Sequence, residues 1–219
     1  MRTAGELKDA TVLLLHAPQE QIPVFVAMLE EAAVDWSGRC LIFCDCVVDR
    51  ELRLRLEASG LQLAVLREFG IPGRMVAEAD KSRSAAAMRA AHGLIRQLQV
   101  KSVEIPPDCA DLFDAAVMLS RGANTVLIDY AADLMREAGI RETEAARLGS
   151  LLFEQTARDY AHSGRQSWAW HIQRPDAARL RAQLAAAGPE VEALMRQLLA
   201  ASFERFRKHS DIGVEITAK

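Results

Sequence analysis

Residues 40–66 read CLIFCDCVVDRELRLRLEASGLQLAVL, which is the pattern of a strand, a helix and a second strand. Cys40 to Cys44 and Leu61 to Leu66 are short, nearly continuous apolar runs. Such runs are typical of strands that are buried on both faces of a parallel sheet. The Arg- and Leu-rich stretch from Arg50 to Ala58 predicts a helix that Gly60 stops. The unit therefore predicts a parallel sheet with crossover helices.

The same alternation extends on both sides of this unit. Thr11 to Ala17 predicts a first strand buried on both faces, and it ends at Pro18. Further along, Arg74 to Ala79 predicts a short strand, Ser82 to Gln99 an Ala-rich helix and Lys101 to Ile105 the last strand. These segments complete the α/β part of the chain.

From Pro106 onward the pattern is helical. A long helix is predicted from Cys109 to Ala138, a second from Glu142 to His162, and two more on either side of Gly188. The predicted fold is therefore α/β followed by all-α. It consists of a parallel sheet with crossover helices in residues 1–107 and a C-terminal helical domain in residues 108–219.

Composition excludes several classes of protein. The 219 residues are 50% hydrophobic and 26% charged, with 27 Lys and Arg against 30 Asp and Glu, for a net charge of -3. The acidic excess argues against nucleic acid as a partner, and no apolar run is long enough for a membrane span. Since the first residues lack the apolar core of a signal peptide and the four cysteines are too few for a disulfide scaffold, we expect a cytoplasmic protein.

Four stretches carry a resemblance to a known family. They are DATVLLLHAPQEQI (9–22), GRCLIFCDCVVDRELRLRLEASG (38–60), PPDCADLFDAA (106–116) and Arg174-Pro175-Asp176. They resemble a predicted short-subunit dehydrogenase-like family with a C-terminal domain of unknown function, which is related to pyrroline-5-carboxylate reductase and ketopantoate reductase. The resemblance implies that residues 1–107 form a truncated Rossmann-like parallel sheet and that residues 108–219 form a helical, dimerisation-type domain. It also implies NAD(P) as the cofactor of active members.

The family's nucleotide-binding βαβ unit does not occur in these 219 residues. No G-x-G-x-x-G is present, although this motif supplies the tight turn and helix N-terminus that receive a pyrophosphate. Arg67-Glu68 stands where the family tends to have His-Pro, and Asp114 where it has a His. We therefore expect no bound cofactor by default, with NAD(P) as the cofactor that the resemblance allows.

Two groups of residues are the predicted site. Asp114, Ser120 and Asn124 are the candidate catalytic residues, and Arg121 is a candidate substrate-binding residue as an anion partner. All four lie on the long helix, which by resemblance forms the floor of the substrate cleft. The alternative is a hydrogen-bonded cluster that fixes helix packing.

The second group closes the first strand. His16 is a candidate substrate-binding residue, and Ala17 and Pro18 are candidate cofactor-binding residues. The reason is that ligands of α/β proteins bind at the carboxyl ends of parallel strands.

Other conspicuous residues have plainer interpretations. Cys40, Cys44 and Cys46 point to one side of a regular strand, but their spacing is not that of a zinc site, so we predict no metal and interpret them as small apolar side chains. The basic set Arg50, Arg53 and Arg55, interleaved with acids, predicts a solvated helix face. Trp168, Trp170 and His171 form a loop that serves either as an interface or as core cover.

Three functions remain open from the sequence. The first is a degenerate NAD(P)-dependent oxidoreductase-like protein that acts as a non-catalytic binding, regulatory or partner subunit. The second is an active reductase of a small carbonyl, imine or hydroxy acid, whose nucleotide-binding unit comes from another chain or segment. The third is a structural or interaction protein. We expect a homodimer through the C-terminal helices and a small-molecule ligand, with neither nucleic acid nor membrane as a partner.

Overall fold

A computed structural model describes residue 7 and residues 9–32, 34–167 and 177–206. Within these residues, five strands form one sheet in the order β1-β2-β3-β4-β5, and all of them precede the long helical region. The described residues up to Met118 form one compact unit, and those from Leu119 onward form another. The predicted class, α/β followed by all-α, is confirmed.

In the first unit, strands and helices alternate. The strands are β1 (Val12–His16), β2 (Cys40–Cys44), β3 (Gln62–Glu68), β4 (Arg74–Glu78) and β5 (Lys101–Ile105). The helices are α1 (Ile22–Glu31), α2 (Arg50–Ala58), α3 (Ala85–Gln97) and α4 (Ala110–Met118). Short 3-10 turns at Gln19–Gln21 and Pro107–Cys109 precede α1 and α4.

The sheet separates two apolar layers. On one face, Leu41, Phe43, Leu63 and Val65 of the central strands pack in a cluster with residues of α1 and α2. On the other face, Ile42, Ala64, Leu66 and Ala77 pack in a cluster with Ala87, Ala91 and Ile95 of α3. Burying both faces of β2 and β3 explains their continuous apolar sequence.

Two details of the predicted sheet are wrong. β1 is not buried on both faces, because it lies at an edge of the sheet: Leu13 and Leu15 are buried, whereas Val12 and Leu14 are 41% and 54% exposed. The sheet is also not wholly parallel, since β4 runs antiparallel to β3. The connection between these two strands, residues 69–73, is too short for a crossover, and Gly70 and Gly73 take positive φ angles in it.

The segment predicted as one helix from Cys109 to Ala138 has three parts. After α4, a π-helical turn spans Leu119–Ala123 and α5 spans Asn124–Glu137. The second unit continues with α6 (Glu142–Ser163), a 3-10 turn (Gly164–Gln166), α7 (Ala177–Ala186) and α8 (Gly188–Phe206). Among the helices of the described residues, none has the length and apolar character needed to cross a membrane.

Small residues let α5 and α6 approach closely. Ala132 of α5 and Ala145 of α6 are buried. A Cβ placed on Gly149 would lie 3.3 Å from the carbonyl oxygen of Ile128 and 3.5 Å from its Cγ2 atom. Tyr130 of α5 also donates a 2.6 Å hydrogen bond to Glu190 at the start of α8, which ties these two helices together.

Candidate functional site

The carboxyl edge of the parallel strands β1, β2 and β3 is held together by its own loops. The Gln19 side chain donates to the Val47 carbonyl and accepts from the Val47 amide, both at 2.9 Å. Asp45 takes a positive φ of 55°; its amide donates to the Leu66 carbonyl at 2.8 Å, and its carboxylate accepts from the Glu68 amide at 2.9 Å. These bonds join the loops after β1 and β2 to the end of β3.

The structure places the predicted residues of β1 at this edge. His16 is the last residue of β1 and pairs in register with Cys44 of β2. His16 and Pro18 are exposed, and Ala17 between them is half-buried. Their predicted roles in substrate and cofactor binding stay predictions.

The cysteines of this edge are not activated thiols. Burial raises the pKa of Cys46 to about 11, and burial also raises the pKa of Cys44. A thiol with a raised pKa stays protonated at neutral pH and is a poor nucleophile and metal ligand. Within the described ranges, no group of three or more His, Cys, Asp or Glu side chains is arranged to hold a metal ion.

A chain of four charged side chains lies beside the end of β3. Arg53 of α2 hydrogen-bonds Glu78 of β4, and Arg67 of β3 lies 3.6 Å from the other oxygen of the same carboxylate. Arg67 Nη1 also donates to both oxygens of Asp114, at 2.9 and 2.8 Å. Two guanidinium groups and two carboxylates therefore alternate from α2 across the sheet to α4.

Burial differs strongly along this chain of charges. The Arg53, Glu78 and Arg67 side chains are only 8%, 5% and 13% exposed, whereas Asp114 is 44% exposed. Burial raises the pKa of Glu78 above the usual glutamate value, although both guanidinium groups oppose that rise. Among the described residues, no acceptor hydrogen-bonds the buried Arg53 Nη1 or the buried Arg67 Nε. The inner part of the cluster is thus rich in donors, and its outer end meets solvent at Asp114.

Sequence reasoning identified only part of this cluster. Asp114 was predicted as a catalytic residue; the structure gives its carboxylate an arginine partner, and its catalytic role stays a prediction. The prediction that Arg53 lies on a solvated helix face is wrong, because its side chain is buried in an ion pair with Glu78 of β4. The Arg53–Glu78 pair could have been inferred from Glu78, because an acid in the apolar strand β4 requires a partner of opposite charge.

The other predicted catalytic residues lie in the second unit. Ser120 and Arg121 belong to the π-helical turn and are exposed, and Asn124 begins α5. The Asn124 amide donates to the Ser120 backbone carbonyl at 2.7 Å, and Thr125 donates to the Arg121 carbonyl at 2.9 Å. π-helical turns occur frequently at functional sites. The catalytic role of Ser120 and Asn124 and the anion-binding role of Arg121 stay predictions.

Trp168, Trp170 and His171 lie outside the described residues, as does the Arg174-Pro175-Asp176 stretch. A cavity of about 300 Å³ lies at the opposite, amino-terminal end of β2 and β3, lined in part by Leu29, Trp36 and Ser59. It is remote from the edge at which α/β sheets bind ligands.

Residues 76–202, more than half of the chain, match the model of a domain of unknown function, DUF2520. The chain belongs to the DUF2520 family. Comparison of the DUF2520 chain with curated proteins gave no match.

Three of the solved structures with a similar fold are reductases. A pyrroline-5-carboxylate reductase from Coxiella burnetii is 14% identical, with a TM-score of 0.56 over 95% of this chain and 79% of that chain. The Plasmodium falciparum pyrroline carboxylate reductase with NADP bound is 13% identical, with a TM-score of 0.59 over 95% and 79%. An imine reductase from Myxococcus stipitatus in complex with NAD+ is 14% identical, with a TM-score of 0.59 over 94% and 78%. The expected likeness to pyrroline-5-carboxylate reductase is thereby confirmed at the level of fold.

Proposed function

We propose that this DUF2520 chain is an oxidoreductase-fold protein that does not bind NAD(P) by itself and acts as a ligand-binding or partner subunit. The observation that carries the proposal is the chemistry of the two helix N-termini at the carboxyl edge of the sheet. In Rossmann folds, the pyrophosphate of a dinucleotide is received by free backbone N–H groups at such a terminus, in a glycine-rich turn.

The helix that follows β1 lacks the donors that a pyrophosphate requires. The turn before α1 contains Pro18 and Glu20, and the second residue of α1 is Pro23. Proline has no N–H group, and the carboxylate of Glu20 repels phosphate.

The helix that follows β2 is already capped by the protein. The Asp49 carboxylate accepts a 2.7 Å hydrogen bond from the Leu52 amide, and Glu51 adds a second negative charge to the first turn of α2. A dinucleotide at this terminus would have to displace one carboxylate and approach another. The residues of both termini therefore do not fit a pyrophosphate.

Titration of the purified chain with NADPH tests this proposal. We expect no saturable change in NADPH fluorescence or in melting temperature up to about 1 mM. The melting temperature would reveal binding, because a ligand at a hundred times its Kd adds about 2.7 kcal/mol to the stability of the folded state. A pyrroline-5-carboxylate reductase known to bind NADPH provides the positive control. Saturable stabilisation of the chain would overturn the proposal.

The exposed face of β1 favours a second candidate, an active reductase completed by a nucleotide-binding unit. Val12 and Leu14 are apolar and largely exposed, and the strand VLLLH contains none of the charges or prolines that usually protect an edge strand. NADP and NAD+ are bound in two of the similar reductase structures. This candidate requires NADPH oxidation with a cyclic imine once the chain is combined with a nucleotide-binding unit, and we expect no such oxidation from the purified chain alone.

We further propose that the helical region forms a homodimer. Val126 of α5 and Leu151 and Leu152 of α6 are large apolar side chains that are half-exposed in the single chain, and exposed apolar patches mark interaction surfaces. We expect a dimer by light scattering and a monomer for Leu152→Glu, with Ala157→Glu, at an exposed position on the opposite face of the same helix, as the control. A monomeric wild-type chain would refute this proposal.

A further inference from the structure

We infer that Arg67 is the anchor of a binding site for a small organic carboxylate, and that Asp114 occupies this site in the ligand-free protein. The inference names the ligand class for the binding role proposed for this chain, and in that respect it rests on the proposed function. All of the residues concerned belong to the first compact unit.

The position of Arg67 suits a ligand site. Arg67 is near the carboxyl end of β3, the edge at which ligands of α/β sheets bind. Its side chain is mostly buried and forms an ion pair with the buried carboxylate of Glu78, so that the guanidinium group is pre-organised. Arginine is the usual residue for recognising carboxylates, because its N–H groups form a planar fork.

The contact with Asp114 leaves part of that fork unused. Both oxygens of Asp114 bond the single nitrogen Nη1 of Arg67. Among the described residues, none accepts a hydrogen bond from Arg67 Nε, and the same is true of Nη1 of Arg53, whose side chain is more than nine-tenths buried. Two buried guanidinium groups thus hold donors that no carboxylate of the described residues satisfies.

The charges of the cluster define the ligand as a monoanion. Arg53 and Arg67 carry two positive charges, and Glu78 is the one deeply buried carboxylate of this cluster. One positive charge remains, and Asp114 meets it from a half-exposed position. Since solvent screens a half-exposed ion pair, a ligand carboxylate can replace Asp114 at little cost.

The neighbouring aromatic rings indicate an apolar body for the ligand. Phe69, two residues after Arg67, meets Phe113 edge-to-face with ring centroids 5.4 Å apart. Phe113 directly precedes Asp114 on α4, so each partner of the arginine–aspartate contact has one of these rings close to it in sequence. An aromatic carboxylate such as benzoate therefore combines the charge and the apolar surface that this site presents.

Benzoate binding to the full chain, measured by isothermal titration calorimetry, tests the inference. Asp114→Asn removes the internal competitor, and we expect it to bind benzoate about fivefold or more tightly than the wild type does. Asp111→Asn makes the same charge change on the same helix, and we expect it to bind like the wild type. We expect Arg67→Lys in the Asp114→Asn background to lose the gain, with circular dichroism confirming that it is folded.

Three outcomes would overturn the inference. Asp114→Asn could bind benzoate no more tightly than the wild type, Asp111→Asn could show the same gain, or inorganic phosphate could bind Asp114→Asn more tightly than benzoate does. None of these results depends on NADPH. Saturable NADPH binding with an unchanged benzoate gain would contradict the proposed function alone.

Discussion

Substitution of Arg53 by Met is the most informative test of the charged cluster. Arg53 and Glu78 are both more than nine-tenths buried, and Met keeps most of the apolar stem of the arginine. Breaking a buried ion pair by removing one partner costs about 3–5 kcal/mol. Because Arg67 still lies 3.6 Å from the Glu78 carboxylate, we expect the lower end of that range, about 3 kcal/mol of unfolding free energy at pH 8.

The cost of Arg53→Met depends on pH in a defined direction. Burial already raises the pKa of Glu78, and loss of the Arg53 charge raises it further. A carboxyl group whose pKa is higher in the folded state takes up its proton there first, so its folded form gains stability as the pH falls. The difference between wild type and Arg53→Met should therefore shrink from pH 8 to pH 5.

Urea unfolding measured through Trp36 fluorescence reports on this unit. Trp36 is buried in the core of the first unit, and replacing Trp168 and Trp170 by Phe leaves it as the sole tryptophan. The Arg55–Glu30 pair, which is about half exposed, provides the control: Glu30→Gln should cost no more than about 1 kcal/mol. A cost below about 1 kcal/mol for Arg53→Met, or a cost that is equal at pH 5 and pH 8, would refute the reasoning.

Three further substitutions and one chemical modification probe the rest of the chain. Gly60→Ala should lower the unfolding free energy by about 1–2 kcal/mol, because Gly60 has a φ of 92° and an added Cβ would lie 2.9 Å from a neighbouring Cα. Gly93 lies inside α3 with open space around it, so Gly93→Ala should raise the unfolding free energy by about 0.5–1 kcal/mol. Urea unfolding measures both. Gly149→Leu should lower the melting temperature followed by circular dichroism, since overpacking of the α5–α6 contact costs about 1–3 kcal/mol; an unchanged melting temperature would contradict the close packing. Cys46 has a pKa of about 11 against the ordinary 9.0, so it should react with N-ethylmaleimide at pH 7.5 about a hundredfold more slowly in the native than in the unfolded protein. Mass spectrometry measures the two rates, and equal rates would refute the burial of this thiol.

Local sequence patterns predicted the secondary structure of the first unit well. The predicted bounds of β2, α2 and β5 agree with the structure. The reason is that each is delimited by local chemistry: α2 begins after the capping carboxylate of Asp49 and ends before Gly60, which takes a positive φ of 92°. A continuous apolar run specifies a strand whose two faces are covered.

Edge position could not be inferred from local patterns, whereas the pairing direction of β4 could have been. β1 and β2 are both apolar runs, yet only β2 is flanked by strands on both sides in the sheet. Coverage of Leu14 depends on what packs beside β1 and not on the composition of β1. The antiparallel pairing of β4 was foreseeable, because the connection over residues 69–73 leaves no room for a crossover helix.

The sequence predicted where the candidate site lies but not which charged side chains pair with each other in it. The sequence indicated Asp114 and the carboxyl ends of the strands. It did not indicate that Arg67 meets Asp114 across 47 residues of chain, or that Arg53 meets Glu78 across 25. A helical pattern places Arg53 among other charges on α2, and only its approach to β4 reveals that it is buried.

Periodicity, capping residues and apolar runs were sufficient to establish that this chain is an α/β unit followed by helices, because these signals act between residues that are close in the chain. Only the folded chain revealed the choice of ion-pair partners, the exposure of β1 and the donors of the charged cluster that no described residue satisfies. They depend on distances between residues far apart in sequence, and packing sets those distances.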